Sequence, residues 1–430
     1  MMLHATRFVL HLVEGRTMAR SDPHTPARPA ATAAAAWLIL AVLLLFSIAA
    51  PLNQFKVPPI MPLLMEAFGL TVSGAGLVMS VYAVTGLILA LPAGLIYQKA
   101  GPRLTGIVAG GSIVLGSALG ALSSGTGALL ASRVVEGVGT SFMAVLAPAI
   151  IAQWFTTRQR GTAMGIWAIW VPVGTAAMLI LAPALAQAAG WRSVWWLGAA
   201  YALVVTLLYL AFVPRGPAPR TSSPQPDRAP AGALEGRPDQ AVTSAQVLRN
   251  RNIWLLAGAF AAFNGAAVGL GTYMPTFLTS QHGLPLAQAA LISSILTLVT
   301  IFSAPAGGVL SDRIGSRKKP YLVGLAAAIV LLPLAGAVSV TGLIVLVVLA
   351  GLFLGIVPTN IFAAAVEATG DERQGGAAMA IIMVGQNAGM LVGPIIVGVL
   401  AETAGWPAAF ASLAAISALG LLSGWLARVR

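Results

Sequence analysis

Arg133 and Glu136 stand three residues apart in the apolar run 127 to 151, so a helix there carries both on one face. A charge near a bilayer centre costs at least about 2.5 to 3.5 kcal/mol, which restricts such residues to a cavity or to each other. Two readings follow. Either the pair only orients its helix, or Arg133 contacts an anion or a gate while Glu136 carries a proton. Lys56 adds a second cation toward the end of the first apolar run, on the helical face of Asn53 and just before Pro58-Pro59. It either snorkels to the interface or points inward. Pointed inward, two cations against one carboxylate leave +1, and the matching ligand is a small anion such as a monocarboxylate.

Trp167 and Trp170 share a face and would wall off an organic group, unless they only pack or meet lipid. Asn264, Tyr273, Asn360, Gln386 and Asn387 complete the candidate binding set, with helix–helix hydrogen bonding as the alternative for each. Other chemistry is excluded by absence. The sequence has no Cys and four His, of which His4, His11 and His24 precede residue 25, so neither thiol chemistry nor a metal site is expected. No Gly-Lys dipeptide exists, hence no Walker A loop and no ATP-driven pump, and there is no His-Glu-x-x-His or Gly-x-Ser-x-Gly site. The chain reads as no enzyme and as needing no cofactor.

The elements that must position these residues follow from composition. The chain has 430 residues, 58% hydrophobic and 8% charged, with a mean hydropathy of +0.89, where a soluble domain carries about 25% charge. Apolar runs fall near 33 to 60, 73 to 96, 104 to 123, 127 to 151, 161 to 186 and 193 to 213, then near 253 to 279, 287 to 310, 320 to 339, 341 to 366, 376 to 400 and 408 to 427. The reading is all-α: a polytopic membrane protein of twelve spans in two six-helix bundles, 33–213 and 251–430, between a tail at 1–32 and a linker at 214–250. Seven prolines predict an extended, disordered linker. The termini and even-numbered loops hold 21 of the 24 Lys and Arg residues, which places them in the cytoplasm by the positive-inside rule. Topology thus accounts for the +12 net charge without nucleic acid. The tail lacks an apolar run long enough for a signal peptide, and Met18 is a second possible start.

The halves repeat. Gly69-Leu70 recurs as Gly283-Leu284, Gly94 and Gly101 as Gly308 and Gly315, Arg103 as Arg317 and Gly137 as Gly351, all 214 residues on; 215 residues on, Ala163-Met164 recurs as Ala378-Met379, Gly174 as Gly389 and Gly190-Trp191 as Gly405-Trp406. Gly308-Val-Leu-Ser-Asp312-Arg313-Ile-Gly315-Ser-Arg317-Lys318 resembles the Gly-x-Leu-x-Asp-Arg-x-Gly-Arg-Lys loop signature of the major facilitator superfamily. Its first-half counterpart runs from Gly94 through Gln98 and Gly101 to Arg103. Arg133-Val-Val-Glu136-Gly137-Val-Gly139 resembles that family's Arg-x-x-x-Gly-x-Gly motif, and Asn53 to Pro62 is similar to its organic-anion, cyanate and nitrate-type branches. The resemblance implies a secondary transporter in the inner membrane, working by alternating access with its site at the midplane between the halves.

Expected partners are therefore a small anionic substrate, a proton and the lipid bilayer. Proton-antiport efflux of lipophilic compounds is the alternative, and a transporter-like receptor with the linker as output is a third reading. The loop residues together with Glu367 and Arg373 are expected to form a cytoplasmic gate. That gate is expected to be asymmetric, with independent drift of the two loops as the alternative, since Asp312 and Glu367 correspond to Gln98 and Gln153, while Arg313 and Arg373 correspond to Lys99 and Arg158. Gly385, Gly389 and Gly393 give a smooth face for close helix packing.

Overall fold

Prolines, left-handed glycines and capping side chains divide the apolar runs into helices. The computed structural model describes residues 33–213, 247–369 and 374–429. The expected tail and nearly all of the linker lie outside these, as does Arg373. Helix α1 (Ala33–Gln54) stops where Pro58 and Pro59 withdraw two N–H donors, and a 3-10 turn (Pro58–Ile60) leads into α2 (Met61–Phe68). α3 (Val72–Ser80) begins at Thr71, whose hydroxyl accepts from Gly74 N at 3.2 Å. α4 (Tyr82–Leu89), α5 (Pro92–Ala121), α6 (Thr126–Trp154), α7 (Thr157–Trp167), α8 (Trp170–Ala189) and α9 (Trp191–Phe212) complete the first half. The second half has α10 (Arg251–His282), α11 (Leu286–Ile314), α12 (Lys318–Leu334), α13 (Val340–Glu367), α14 (Gly375–Thr403) and α15 (Gly405–Leu426).

Eleven helical segments among the described residues are long and apolar enough to cross a bilayer. The run expected at 320 to 339 forms the 17-residue α12, which at about 1.5 Å per residue is near the short limit for a span. Spans two and three were expected to part between residues 96 and 104. The break is at Gly101, where φ is 74° and ψ 172° inside α5.

Six glycines have positive φ: Gly69, Gly101, Gly190, Gly283, Gly315 and Gly405. They are three repeat pairs, so the duplicated sequence bends the backbone at duplicated places. Helix crossings repeat too. A Cβ on Gly137 would strike the Tyr82 carbonyl, and one on Gly351 would press on the equivalent Leu296 carbonyl.

Burial shows how the halves join. Near the face where α1 starts and α15 ends, here the terminal face, each half has its own apolar core, one around Phe46, Tyr97 and Met143 and one around Phe260, Tyr321 and Ile361. Toward the opposite face a single core runs through both, from Leu52, Ile60 and Trp195 to Tyr273, Phe277 and Phe410. The halves are therefore sealed at the opposite face and separate at the terminal one.

The glycine face on α14 is as close as expected, since a Cβ on Gly389 would collide with the Ala261 carbonyl oxygen of α10. Gly389→Ala should destabilise the protein by about 1 to 3 kcal/mol, read as a lower melting temperature in detergent. Gly111→Ala, with nothing near its added methyl, should be neutral or slightly stabilising.

Candidate functional site

The broken end of α1 leaves backbone acceptors that the helix cannot use. Pro58 has no N–H to return to Gln54 O, and the regular helix ends at Gln54. Arg133 on α6 fills the gap: its Nη1 donates to Asn53 O at 2.8 Å, Nη2 to Gln54 O at 2.8 Å and Nε to Val78 O at 3.2 Å, next to the break between α3 and α4. Nη1 also pairs with Glu136 Oε2, and the guanidinium lies 4.5 Å from the Tyr82 ring centroid.

The other Glu136 oxygen is held by Lys56, with Nζ 2.6 Å from Oε1. Lys56 further donates to Ser117 Oγ at 2.8 Å and Asn53 Oδ1 at 3.0 Å, and its Nζ sits 4.6 Å from the Trp195 ring centroid. Asn53 is fixed by Ala49 O and Gly198 O, and Ser117 donates to Trp195 O at 2.8 Å. Lys56, Arg133 and Glu136 have 0% exposure, so Lys56 does not snorkel. Two cations clamp one carboxylate from opposite sides.

The same places in the second half hold no charge. Lys56, Arg133 and Glu136 map to Leu270, Val347 and Ala350, all buried in the apolar core. Ser117, Trp195 and Tyr82 are contributors that the spacing of charges did not reveal. Their signal lay in the repeat, where Ser117 and Tyr82 align with Leu331 and Leu296.

The remaining candidates are dispersed. Trp167 and Trp170 stack with centroids 5.3 Å apart, and Trp167 Nε1 donates to Ser47 Oγ at 2.9 Å. Asn264 and Asn360 donate to carbonyls one turn back on their own helices, Phe260 O and Ile356 O, although Asn360 Oδ1 has no partner among the described residues. Asn387 packs on Gly86 across the halves. Gln386, beside it on α14, is half-buried with no hydrogen-bond partner among the described residues. Tyr273 belongs to the opposite-face seal: its hydroxyl is 3.1 Å from both Val72 O of the first half and Pro394 O of the second, and Gly76 and Gly398 leave room for it. Glu402 accepts from Ser73 N at 3.1 Å and Ser73 Oγ at 2.6 Å, a further cross-half contact.

At the terminal face Arg317 joins both acidic residues of the expected gate, with Nε 2.9 Å from Glu367 and Nη1 2.5 Å from Asp312. Glu367 and then Asp312 hold its pKa above the ordinary arginine value. Lys318 donates to Trp425 O and Ala427 O at the end of α15. The first half has amides for the acids, and Arg103 turns to the equivalent helix end, donating to Leu210 O at 3.3 Å. Gln153 Nε2 meets Tyr97 Oη at 3.4 Å, while Gln98 and Arg313 are exposed. Gly94 and Gly308 meet no backbone within 4 Å.

Two halves with matched bends, sealed at one face, are the arrangement that the loop motifs implied. The model of the Major Facilitator Superfamily matches residues 37–377 and 283–430. This chain belongs to the major facilitator superfamily. It is a multi-pass membrane transporter and not an enzyme. It is 26% identical over 381 residues to the probable sulfoacetate transporter of Cupriavidus necator, covering 86% of this chain and 88% of that one. It is 25% identical over 376 residues to the hexuronate transporter of Bacillus subtilis, covering 83% and 88%. Among solved structures, the superfamily fold matches a bacterial homologue of the human lysosomal transporter Spinster, inward-facing and unoccupied, with a TM-score of 0.77 at 17% identity over 92% of this chain and 98% of that one.

The clamp makes a stability prediction. Glu136→Gln leaves two buried cations without their counter-charge and should cost about 3 to 5 kcal/mol. Adding Lys56→Met removes one of them, so the double variant should melt above the Glu136→Gln single, a sign that a thermal double-mutant cycle reads directly.

Proposed function

We propose that this transporter moves a small organic anion across the inner membrane by alternating access, coupled to protons, with both termini cytoplasmic. The observation that carries this reading is the clamp itself: a buried site of two cations and one carboxylate, present in one half and replaced by apolar residues in the other. A fold that packs the same place with Leu270, Val347 and Ala350 does not need charge there. The relatives named for sulfoacetate and hexuronate, both anions, support the reading.

The two cations have different work. Arg133 is committed to three backbone carbonyls and holds the broken ends of α1 and α3. Lys56 is bound only by side chains, which can turn away. Glu136 occupies the place of the ligand's acid group. Its protonation leaves Lys56 a positive charge without a counter-ion, and the arriving anion replaces the carboxylate. Gln386, Asn387 and the Trp167–Trp170 stack are available to the rest of the substrate. With Tyr273 and Glu402 sealing the far face and Arg317 tied within one half, the central space opens to the cytoplasm.

A thermal-shift panel of sulfoacetate, glucuronate, simple monocarboxylates, nitrate and lipophilic cations tests this, because a ligand of the folded state raises its stability. One anion class should stabilise the parent, and Lys56→Met should abolish the shift; stabilisation by lipophilic cations alone would favour efflux. In proteoliposomes, Glu136→Gln should keep anion exchange but lose accumulation driven by a proton gradient, and intact gradient dependence would remove Glu136 from coupling. At the gate, Asp312→Asn should slow transport several-fold while Gln98→Asp leaves it near the parent rate; equal effects would refute an asymmetric latch.

A further inference from the structure

A pair of hydroxyl groups lies against the terminal side of the clamp. Thr140 lies one turn beyond Glu136 on α6, and Ala50 one turn before Asn53 on α1, both on the terminal side of the clamp. The Tyr82 hydroxyl bridges them, pairing with Thr140 Oγ1 and donating to Ala50 O at 3.2 Å. Its ring lies against Arg133. Tyr82, Lys56, Arg133 and Glu136 are buried, whereas Thr140 is only half-buried. The Tyr82–Thr140 pair thus joins a buried side chain next to the clamp to one that is half-buried.

The repeat ties this pair to the clamp. Tyr82 and Thr140 map to Leu296 and Leu354, so the half that lacks the charges also lacks the hydroxyls. Helix packing does not require them either, because the backbone crossing of Gly137 on Tyr82 has its counterpart in Gly351 on Leu296. The pair occurs only where there is something to cover.

We propose that Tyr82 and Thr140 form a removable cover that shuts the Lys56–Glu136–Arg133 clamp off from the central space open to the terminal face. The cover swings as the hydroxyl leaves Thr140 and Ala50, and it admits a small polar solute to Lys56. The cover stands whether or not the substrate is an organic anion, so its failure and that of the anion reading are separable.

Because the chain has no cysteine, the test is direct. Ser117→Cys puts a near-isosteric thiol beside Lys56, with Ser132→Cys as a second reporter should the first fold poorly. The purified full-length protein is treated with a small anionic thiosulfonate reagent and the labelling rate is followed. Tyr82→Phe, which keeps the ring on Arg133 and deletes the hydroxyl, should speed labelling about five- to tenfold, the population shift expected from losing one buried hydrogen bond; Thr140→Val should act in the same direction. An unchanged rate in both variants would overturn the cover. So would acceleration by Tyr273→Phe in place of Tyr82→Phe, because access would then run through the opposite-face seal.

Discussion

Arg133 binds the carbonyls that the chain itself strands, and most of the first half is arranged around that fact. Pro58 and Pro59 end the first membrane helix early, and the break at Val81 opens the second. In a bilayer an unpaired carbonyl costs several kcal/mol, with no water to satisfy it. One guanidinium repairs both breaks and so locks α1, α3 and α6 together. Its charge then has to be balanced, and Glu136 does this from the next turn. Lys56, carried past the end of α1 by the same proline break, meets the other carboxylate oxygen. A structural need and a chemical site are built from the same atoms.

The second half shows what the fold does without that site. It keeps the same positive-φ glycines and close helix crossings, yet α10 runs as one helix from Arg251 to His282, through Pro275. Leu270, Val347 and Ala350 pack in place of the charges. At the terminal face the asymmetry reverses. The second half carries the ionic knot of Arg317 with Asp312 and Glu367, while Arg103 in the first half only caps a helix end. Duplication supplied one scaffold, and each copy spends its buried or clustered charge on a different task.

Much of this could be read from residues alone. Hydropathy gives the spans, and glycine spacing gives the repeat. The i, i+3 relation of Arg133 and Glu136 marks the centre of the candidate site. The Lys56 orientation was not legible, because a lysine near a span end satisfies itself equally by snorkelling or by pairing, and only the packing of α5 and α9 around it decides. Tyr273, Asn264 and Asn360 share with the site only that they are polar residues in spans, and a single polar side chain can always bond its own helix or a neighbour. Ser117, Tyr82 and Thr140 are not legible from charge, since hydroxyls are cheap in membrane helices and give no charge signal. Comparing them with Leu331, Leu296 and Leu354 would have found them.

If an incoming anion takes the place of the Glu136 carboxylate on Lys56, then binding must carry a proton with it. The decisive measurement is the proton stoichiometry of binding, obtained by titrating the purified protein in weakly buffered detergent solution with whichever anion stabilises it and recording the pH change. We expect close to one proton taken up per anion bound in the parent and none in Glu136→Gln. Anion binding without proton uptake, or uptake that persists in the Glu136→Gln variant, would contradict the exchange of carboxylate for substrate at this site.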